Sequence, residues 1–276
     1  MDLAAVGLIA GRELRDSLRT RWFVLYTVAF LGLGTGLTYL ASSLGGYSGL
    51  QGFGRTAAGL VNLVLLVVPL MGLTAGAQAV AAERERGTLA YLLAHPVTRG
   101  EVLTGKFLGL VAALALSLAL SFGALGLALG ATGTGVGALP FAGFVGLTLL
   151  LGLVSLALGS LISVLAARTA VALGGAVFVW LGLVFAGDLG LMSSAVLFRL
   201  GIRALFLSAF LNPLQTFKVA AVALLHPSLD VLGPVGLYAA DTLGPKLLPV
   251  LTGVLVLWAA VPLVLALVSF TGRDAA

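Results

Sequence analysis

The chain has 276 residues, of which 60% are hydrophobic and only 9% are charged, and its formal net charge is +5. A soluble domain carries about a quarter charged residues, so the composition excludes a water-soluble protein. Long, continuous runs of Leu, Ala, Val and Gly favour membrane helices over a β-barrel. The absence of cysteine excludes disulfides and Cys metal clusters, and in a membrane protein the positive charge bears on orientation rather than on nucleic acid.

Residues 1–21 are predicted to form an amphipathic helix. Leu3, Val6, Ala10, Leu14 and Leu18 recur at helical spacing, and charged residues occupy the other faces. Two placements remain open: a helix lying on the inner membrane surface, or a solvated helix beside the membrane. Arginines after only a short apolar run argue against a cleavable signal.

Six apolar segments have the length of a membrane span, so the fold class is an all-α polytopic membrane protein with a single transmembrane domain over 1–276. The predicted spans are 22–41, 57–81, 107–130, 140–166, 170–192 and 247–270. Asn62 and Gln78 are polar residues inside the second span, and we expect them to face other helices. They either bond between helices or form an intramembrane polar path for a substrate.

The fourth span carries a stripe of small residues suited to close helix packing, interrupted by one leucine: Gly152, Leu156, Gly159 and Ser163. A very short turn at Arg168 follows. Residues 193–246 form the longest non-spanning, extracytoplasmic segment, with helices expected in the interface or capping the bundle. In it, Asn212-Pro213 predicts an N-cap followed by Pro at the first helical position, and the predicted buried face of that helix is Leu214, Phe217, Ala221 and Leu225.

With about six spans, both termini lie on one side of the membrane. Placing them in the cytoplasm puts ten basic residues inside and five outside, as the positive-inside rule expects for an inner (plasma) membrane protein. The segment 83–106 then lies in the cytoplasm.

The segment 83–106 contains a predicted short helix, Leu89–His95, between a break at Gly87-Thr88 and a stop at Pro96. Thr88 is expected to cap this helix, and Leu89, Tyr91, Leu92 and Leu93 are expected to be exposed. Such a helix either docks on a protein partner or lies among the lipid headgroups. The candidate docking residues are Glu83, Arg84, Glu85, Arg86, Gly87, Thr88, Leu89, Tyr91, Leu92, Leu93 and Pro96. Thr98 and Glu101 have the spacing of a capping box for the next helix.

Three kinds of chemistry are excluded by missing residues. Gly100–Lys106 resembles a phosphate-binding loop, but Phe107 replaces the required Ser or Thr and no strand precedes it. His95 and His226 lack the spacing of metal ligands. A Ser/His/Asp set, paired inward carboxylates and HExxH are also missing. The sequence therefore predicts no catalytic site, metal or cofactor in this chain.

The residues Glu85-Arg86-Gly87-Thr88-Leu89, with Pro96, Arg99-Gly100 and Gly105-Lys106-Phe107, resemble the intracellular loop of type-2 ABC exporter permeases. The resemblance implies a half-transporter of six helices whose loop helix couples to a separate ATPase subunit. It implies a working unit of two such chains and two ATPases, with ATP and Mg bound by the ATPases.

Within that class, the chain is similar to permeases of the nitrous-oxide-reductase maturation (Nos-type) system. The likeness is carried by chain length, by Asn212-Pro213 with Phe217 and Lys218, and by Ala240-Asp241; Gln215 and Lys218 depart from the acidic residue and the Arg expected there. This implies delivery of a copper or sulfur species, or force transmission, for assembly of a periplasmic copper cluster with a periplasmic accessory protein. The alternatives are a permease for a lipid, drug or peptide and an ATP-independent carrier; the latter would need intramembrane ionisable residues and inverted repeats, of which the sequence shows almost none.

Overall fold

The computed structural model describes residues 2–44, 50–132, 137–197, 202–225 and 233–272. Apart from one 3-10 turn at Gly244–Lys246, the regular elements in these ranges are α-helices. They are α1 Leu3–Arg19, α2 Arg21–Leu44, α3 Leu50–Glu85, α4 Thr88–Leu93, α5 Arg99–Thr132, α6 Ala138–Leu165, α7 Thr169–Leu197, α8 Ile202–Phe210, α9 Pro213–Leu225, α10 Gly233–Leu243 and α11 Leu247–Gly272.

Five segments among the described residues are long and apolar enough to cross a membrane: Ala57–Glu85, Arg99–Leu127, Ala138–Leu165, Thr169–Gly187 and Gly236–Gly272. Shorter apolar helical stretches occur at Phe23–Leu37 and Pro213–Leu225. The all-α, polytopic membrane class predicted from composition is therefore confirmed. The helices run further than the predicted loops allowed, since α2 continues to Leu44 and α3 already begins at Leu50.

Among the described helices, α3 and α6 share the most extensive contact, and small residues let their backbones approach each other. A Cβ atom on Gly76 would lie 2.5 Å from the carbonyl oxygen of Leu156, and one on Gly159 would overlap the carbonyl oxygen of Leu73. Ser163 Oγ lies 2.9 Å from the backbone nitrogens of both Val80 and Ala81 and accepts from them. The predicted stripe on α6 is thus confirmed as a packing surface, and it faces α3.

Aromatic side chains join four helices in the core. Phe122 of α5 lies 5.3 Å from Phe30 of α2 and 5.8 Å from Phe144 of α6, between ring centroids. Phe144 in turn lies 6.1 Å from Phe217 of α9. The first two pairs meet edge-on, and such pairs add to the energy of burial. Phe217 is fully buried, so α9 belongs to the packed core.

The turn between α8 and α9 is inserted among the spans. Asn212 donates from Nδ2 to the carbonyl oxygen of Leu183 in α7 at 2.6 Å, and Trp258 of α11 donates to the carbonyl oxygen of Phe210 at 3.0 Å. Leu183 and Trp258 each lie about 14 residues, or about 21 Å, from the helix end nearer to α4. Both contacts therefore place the turn well inside the apolar thickness of about 30 Å.

The N-cap predicted at Asn212 is confirmed, because its Oδ1 accepts from the Leu214 nitrogen at 2.9 Å. The predicted inner face of α9 is also buried, as Leu214, Phe217, Ala221 and Leu225 show. Most other residues of α9 are buried as well, Gln215 and Thr216 included. This burial differs from the surface position expected for the helix. Arg199 and His226 lie outside the described residues.

Candidate functional site

Most charged residues of the described chain gather at one end of the bundle, which we call the charged end. It comprises α1, the start of α2, the last turn of α3, α4, the first turns of α5 and the turn between α6 and α7. The short predicted helix is present there as α4, Thr88–Leu93. It is separated from α3 by Gly87, whose φ of 73° is left-handed and therefore suits a residue without a Cβ.

Thr88 does not cap α4, contrary to the prediction. The N-cap position is held by Gly87, and no side chain caps the helix. Thr88 Oγ1 instead donates to the carbonyl oxygen of Glu83 at 3.3 Å, so it closes the end of α3. The left-handed glycine makes the break, and the hydroxyl serves the preceding helix.

The leucines of α4 point inward, which corrects the prediction that they are exposed. Leu89 is buried, with 9% of its surface exposed, and Leu92 and Leu93 are half-buried. They pack against residues of α3, α5, α6 and α11, which we call the α4 cluster: Val80, Val102, Leu103, Val164, Ala266 and Phe270. The short helix is thus seated on the ends of four longer helices.

The outer side of α4 is formed by Tyr91 and His95 at its C-terminal end. The Tyr91 side chain is 72% exposed, and its ring meets the His95 ring edge-on at 5.2 Å. Beside them, an apolar groove of about 310 Å³ runs between α1 and α4, with Leu8 and Ile9 on one wall and Leu92 on the other. An aromatic residue beside an open apolar groove is a surface suited to a protein partner.

Arg84 and Glu85, predicted as docking residues, reach the turn between α6 and α7 instead. Arg84 Nη1 donates to the carbonyl oxygen of Ala166 at 2.5 Å, and both Nη atoms lie 3.4 Å from the carbonyl oxygen of Val164. The Thr169 nitrogen donates to Glu85 Oε2 at 2.9 Å. The cation therefore meets the negative end of α6 and the anion meets the positive end of α7.

Lys106 is the centre of a buried ion triad that the sequence did not predict. Its Nζ lies 2.6 Å from Glu13 Oε2 of α1 and 3.0 Å from Glu83 Oε1 of α3. Only 4% of the Lys106 side chain is exposed. Among the described residues, Glu83 Oε2 is buried without a hydrogen-bond partner. The triad ties three helices together at the charged end, so Glu83 also acts inside this chain.

The amphipathic helix α1 packs along the beginning of α5. A Cβ atom on Gly105 would lie 2.8 Å from Ile9 Cβ, and one on Gly109 would lie 2.5 Å from the carbonyl oxygen of Ala10. The two glycines thus admit α1 against the backbone of α5. Gly105 and Lys106, which made the sequence resemble a phosphate-binding loop, are explained by this packing and by the triad.

The capping box predicted for α5 is confirmed. The Thr98 nitrogen donates to Glu101 Oε2 at 2.8 Å, and the Glu101 nitrogen donates to Thr98 Oγ1 at 3.3 Å. The Asp2 nitrogen also donates to Glu101 Oε1 at 2.6 Å. The same carboxylate therefore starts α5 and holds the beginning of α1, which gives α1 a second attachment.

Asn62 and Gln78, the predicted polar residues of the second span, lie in different surroundings. They lie about 16 residues, or about 24 Å, apart on α3. Asn62 is exposed on the single chain, and Gln78 donates to the carbonyl oxygen of Thr74 in its own helix at 3.1 Å. The expectation that both face other helices is not met by Asn62 in the single chain, whereas Gln78 lines a cavity to which other helices contribute. Gln78 lines a polar cavity of about 240 Å³ with Tyr26, Glu83 and Lys106 among its walls.

Within the described residues, no three His, Asp or Glu side chains are grouped so that they could hold a metal ion. The charged side chains of the charged end make ion pairs and hydrogen bonds between helices. Glu13 and Lys106 are the functional candidates that sequence reasoning missed. The available signals were a carboxylate on a mainly basic helix and a lysine at the mouth of a span.

The sequence profile of the family described as "ABC-2 family transporter protein" matches residues 8–275. The chain is also similar to two proteins named "Probable ABC transporter permease protein NosY". The protein from Pseudomonas aeruginosa is 35% identical over 223 residues, which are 79% of this chain and 81% of the relative. The protein from Stutzerimonas stutzeri is 33% identical over 271 residues, which are 96% of this chain and 97% of the relative.

Proposed function

Because the chain belongs to the ABC-2 family of transporter proteins, we propose that it couples ATP hydrolysis by a separate ATPase subunit to movement of its own membrane helices. The chain is a multi-pass transmembrane subunit of an ABC transporter, in a family of permeases rather than enzymes. In this proposal the ATPase binds ATP and Mg, and it docks on α4.

The geometry of α4 is the observation that supports docking most directly. A helix of six residues is not stable alone in water; α4 is held by its leucines on the α4 cluster. Its outer side, with Tyr91 at 72% exposure, is open. A partner that presses on Tyr91 therefore presses on α3, α5, α6 and α11 together.

The docking surface in this proposal also includes the groove between α1 and α4. An apolar side chain of the ATPase would enter it between Leu8 and Leu92, next to Tyr91. Arg86 is also exposed and would meet an acidic group at the rim of the interface, where charge affects the rate of association more than affinity. Gly87 and Pro96 bound α4 and set its position rather than its chemistry.

The test is co-purification of the ATPase with variants of the exposed residue. Tyr91→Asp should reduce ATPase retention and ATP-driven activity by at least about tenfold, since loss of a buried aromatic anchor in an interface costs 2 kcal/mol or more. Tyr91→Phe should retain the ATPase. Thr271→Asp, at an exposed residue near the end of α11, is the matched control for an added charge. Wild-type retention by Tyr91→Asp would reject docking at α4.

The proposed topology has α4 and both termini in the cytoplasm of a bacterium's inner membrane. It is supported by the basic residues at the charged end: Arg12, Arg15, Arg19, Arg21, Arg84, Arg86, Arg99, Lys106 and Arg168. Since the chain has no cysteine, Ala90→Cys provides a single label on exposed α4. A membrane-impermeant maleimide should label it in inside-out vesicles but not in intact cells; the reverse pattern would invert the topology.

The proposed working unit is two copies of this chain with two ATPases, and its proposed task is export or periplasmic delivery for copper-site maturation of nitrous oxide reductase, with a periplasmic accessory protein. Similarity to two NosY proteins over most of the chain supports this role. The test is complementation of a strain without its own NosY protein, read from the copper-site absorption of its nitrous oxide reductase. Failure with the ATPase still bound would reject the role and leave the coupling proposal standing.

We place the proposed intramembrane polar contact at Gln78 rather than at Asn62. Gln78 lies on the wall of the 240 Å³ cavity, whereas Asn62 lies on the outer surface of the chain. Gln78→Leu keeps the volume but removes the amide, so it should lower ATP-driven transport without loss of the ATPase. Asn62→Leu is the control on the same helix. Equal effects of the two substitutions would reject this assignment.

A further inference from the structure

The contacts of Arg84 and Glu85 lead to an inference about how motion spreads from α4. The two residues are adjacent at the end of α3, and they bind opposite helix ends that face each other across one short turn. The guanidinium binds carbonyl oxygens at the end of α6, and the carboxylate binds the first nitrogen of α7. Each charge therefore opposes the partial charge of the helix end that it meets.

The turn that they bind has little freedom of its own. α6 ends at Leu165 and α7 begins at Thr169, so only 166–168 connect them. One turn before Arg84, Ser163 of α6 accepts hydrogen bonds from two nitrogens of α3. Two successive turns of α3 thus hold the end of α6, and Glu85 extends the attachment to α7.

α7 is the helix for which such an attachment matters most. In its apolar stretch 17% of the residues are buried inside the chain, against 61% for α3 and 56% for α6. Side-chain packing therefore attaches α7 to the rest of the bundle less firmly than it attaches α3 and α6. A polar link at its first residue can fix its end where packing does not.

We infer that Arg84 and Glu85 are positioning residues that clamp the α6–α7 turn to α3, so that a displacement of α4 reaches α7 as well. The inference rests on the proposed docking of the ATPase at α4. It gives the two residues a role other than the predicted docking, because Arg84 donates to carbonyl oxygens at the end of α6 and Glu85 Oε2 accepts from the first nitrogen of α7. Tyr91 and the groove contact the ATPase, and the clamp passes the movement to α7.

The experiment measures the distance between α4 and α7 in the complex of this chain with its ATPase in nanodiscs. Ala90→Cys and Ala170→Cys place spin labels on exposed residues of the two helices, and the chain has no native cysteine to remove. We expect one narrow distance distribution that is the same without nucleotide and with a non-hydrolysable ATP analogue. In the Arg84→Gln, Glu85→Gln variant it should be broader, and it should shift when the analogue binds.

A matched control is Arg15→Gln with Asp16→Asn. These are also an adjacent base and acid, but both are exposed on α1, so their variant should give the wild-type distribution. Arg84→Lys keeps the charge and loses the planar fork that reaches two carbonyls, so it should lie between wild type and the double variant. It also remains measurable if the double variant does not fold.

Two results would overturn the inference: a wild-type distance that changes when the ATP analogue binds, or an Arg84→Gln, Glu85→Gln distribution equal to that of wild type. Absence of the ATPase from purified wild-type complexes would instead reject the proposed function. In that case the distributions of the chain alone still decide whether the clamp exists, because only an intact clamp gives the narrower distribution in wild type.

Discussion

The buried triad makes a quantitative prediction for Lys106→Met. The side chains of Lys106, Glu13 and Glu83 are 4%, 19% and 15% exposed. Removal of the ammonium leaves two carboxylates close together with no cation between them. Removing one partner of a buried pair costs about 3–5 kcal/mol. Because both carboxylates keep some contact with solvent, we expect the lower end, about 3 kcal/mol of unfolding free energy.

The assay is reversible unfolding in mixed micelles, with limited trypsin digestion as a local readout. Loss of the triad should let α1 detach and unfold locally. Trypsin should then cleave at the arginines of α1 before the rest of the chain unfolds. Adding Glu13→Gln and Glu83→Gln to Lys106→Met should recover most of the lost stability, because a neutral replacement of a whole buried ion group is often tolerated. Recovery would assign the loss to charge rather than to side-chain volume.

The control is the exposed pair of Arg12 and Asp16, which lie one turn apart on α1 at 3.6 Å with 65% and 62% exposure. Solvent screens such a pair, so Arg12→Gln should cost less than about 0.5 kcal/mol. If Lys106→Met were no more destabilising than Arg12→Gln, the triad would not stabilise the charged end, and the reasoning from burial would be refuted.

Three further predictions concern the packing around the charged end and the inserted turn. Gly109→Ala places a Cβ 2.5 Å from a backbone oxygen of α1, so overpacking should lower the free energy of unfolding by about 1–3 kcal/mol and make α1 sensitive to trypsin. Gly100→Ala, whose Cβ would have nothing within 4 Å, should do neither. Gly87→Ala puts a side chain at a φ of 73°; we expect about 1–2 kcal/mol of destabilisation, measured by unfolding, and an unchanged result would refute the left-handed break. Trp258→Phe removes the 3.0 Å bond to the end of α8; hydrogen exchange in α8 and α9 should rise by roughly fivefold for about 1 kcal/mol, and unchanged exchange would count against the inserted turn.

Local signals in the sequence predicted local structure well. The Thr98–Glu101 capping box and the Asn212 cap are each set by residues within three positions of one another, and both are present. The stripe of small residues on α6 also indicated a packing surface, because a small residue in a membrane helix permits close approach. Which helix would fill that surface was not readable, since it depends on contacts between distant parts of the chain.

The direction of the α4 leucines was not predictable for a different reason. In a membrane protein an apolar side chain can face lipid or protein equally well, so hydropathy does not separate an exposed docking face from a buried anchor. A six-residue helix also has too few turns to show a clear period. Leu89 is buried because the ends of α3, α5, α6 and α11 meet beneath it, which the short segment does not encode.

Charged residues beside a loop were ambiguous in the same way. Arg84, Glu85 and Lys106 have the spacing of a solvated, partner-binding segment, yet each has a partner 80 to 93 residues away in the chain. A charged side chain near the end of a membrane helix can be hydrated, bind a second protein or bind a neighbouring helix terminus. These alternatives have similar free energies. Only the tertiary arrangement of α1, α6 and α7 selects among these.

The buried leucines change what docking at α4 requires. If they were exposed, the ATPase would have to order a short flexible helix as it bound, and ordering lowers affinity. Because α4 is already seated on four helix ends, a partner at Tyr91 meets a preformed surface. The binding energy is then available to displace that surface. A loosened α4, as in Gly87→Ala, should therefore weaken ATP-driven movement more than it weakens ATPase retention, whereas Tyr91→Asp should reduce both equally.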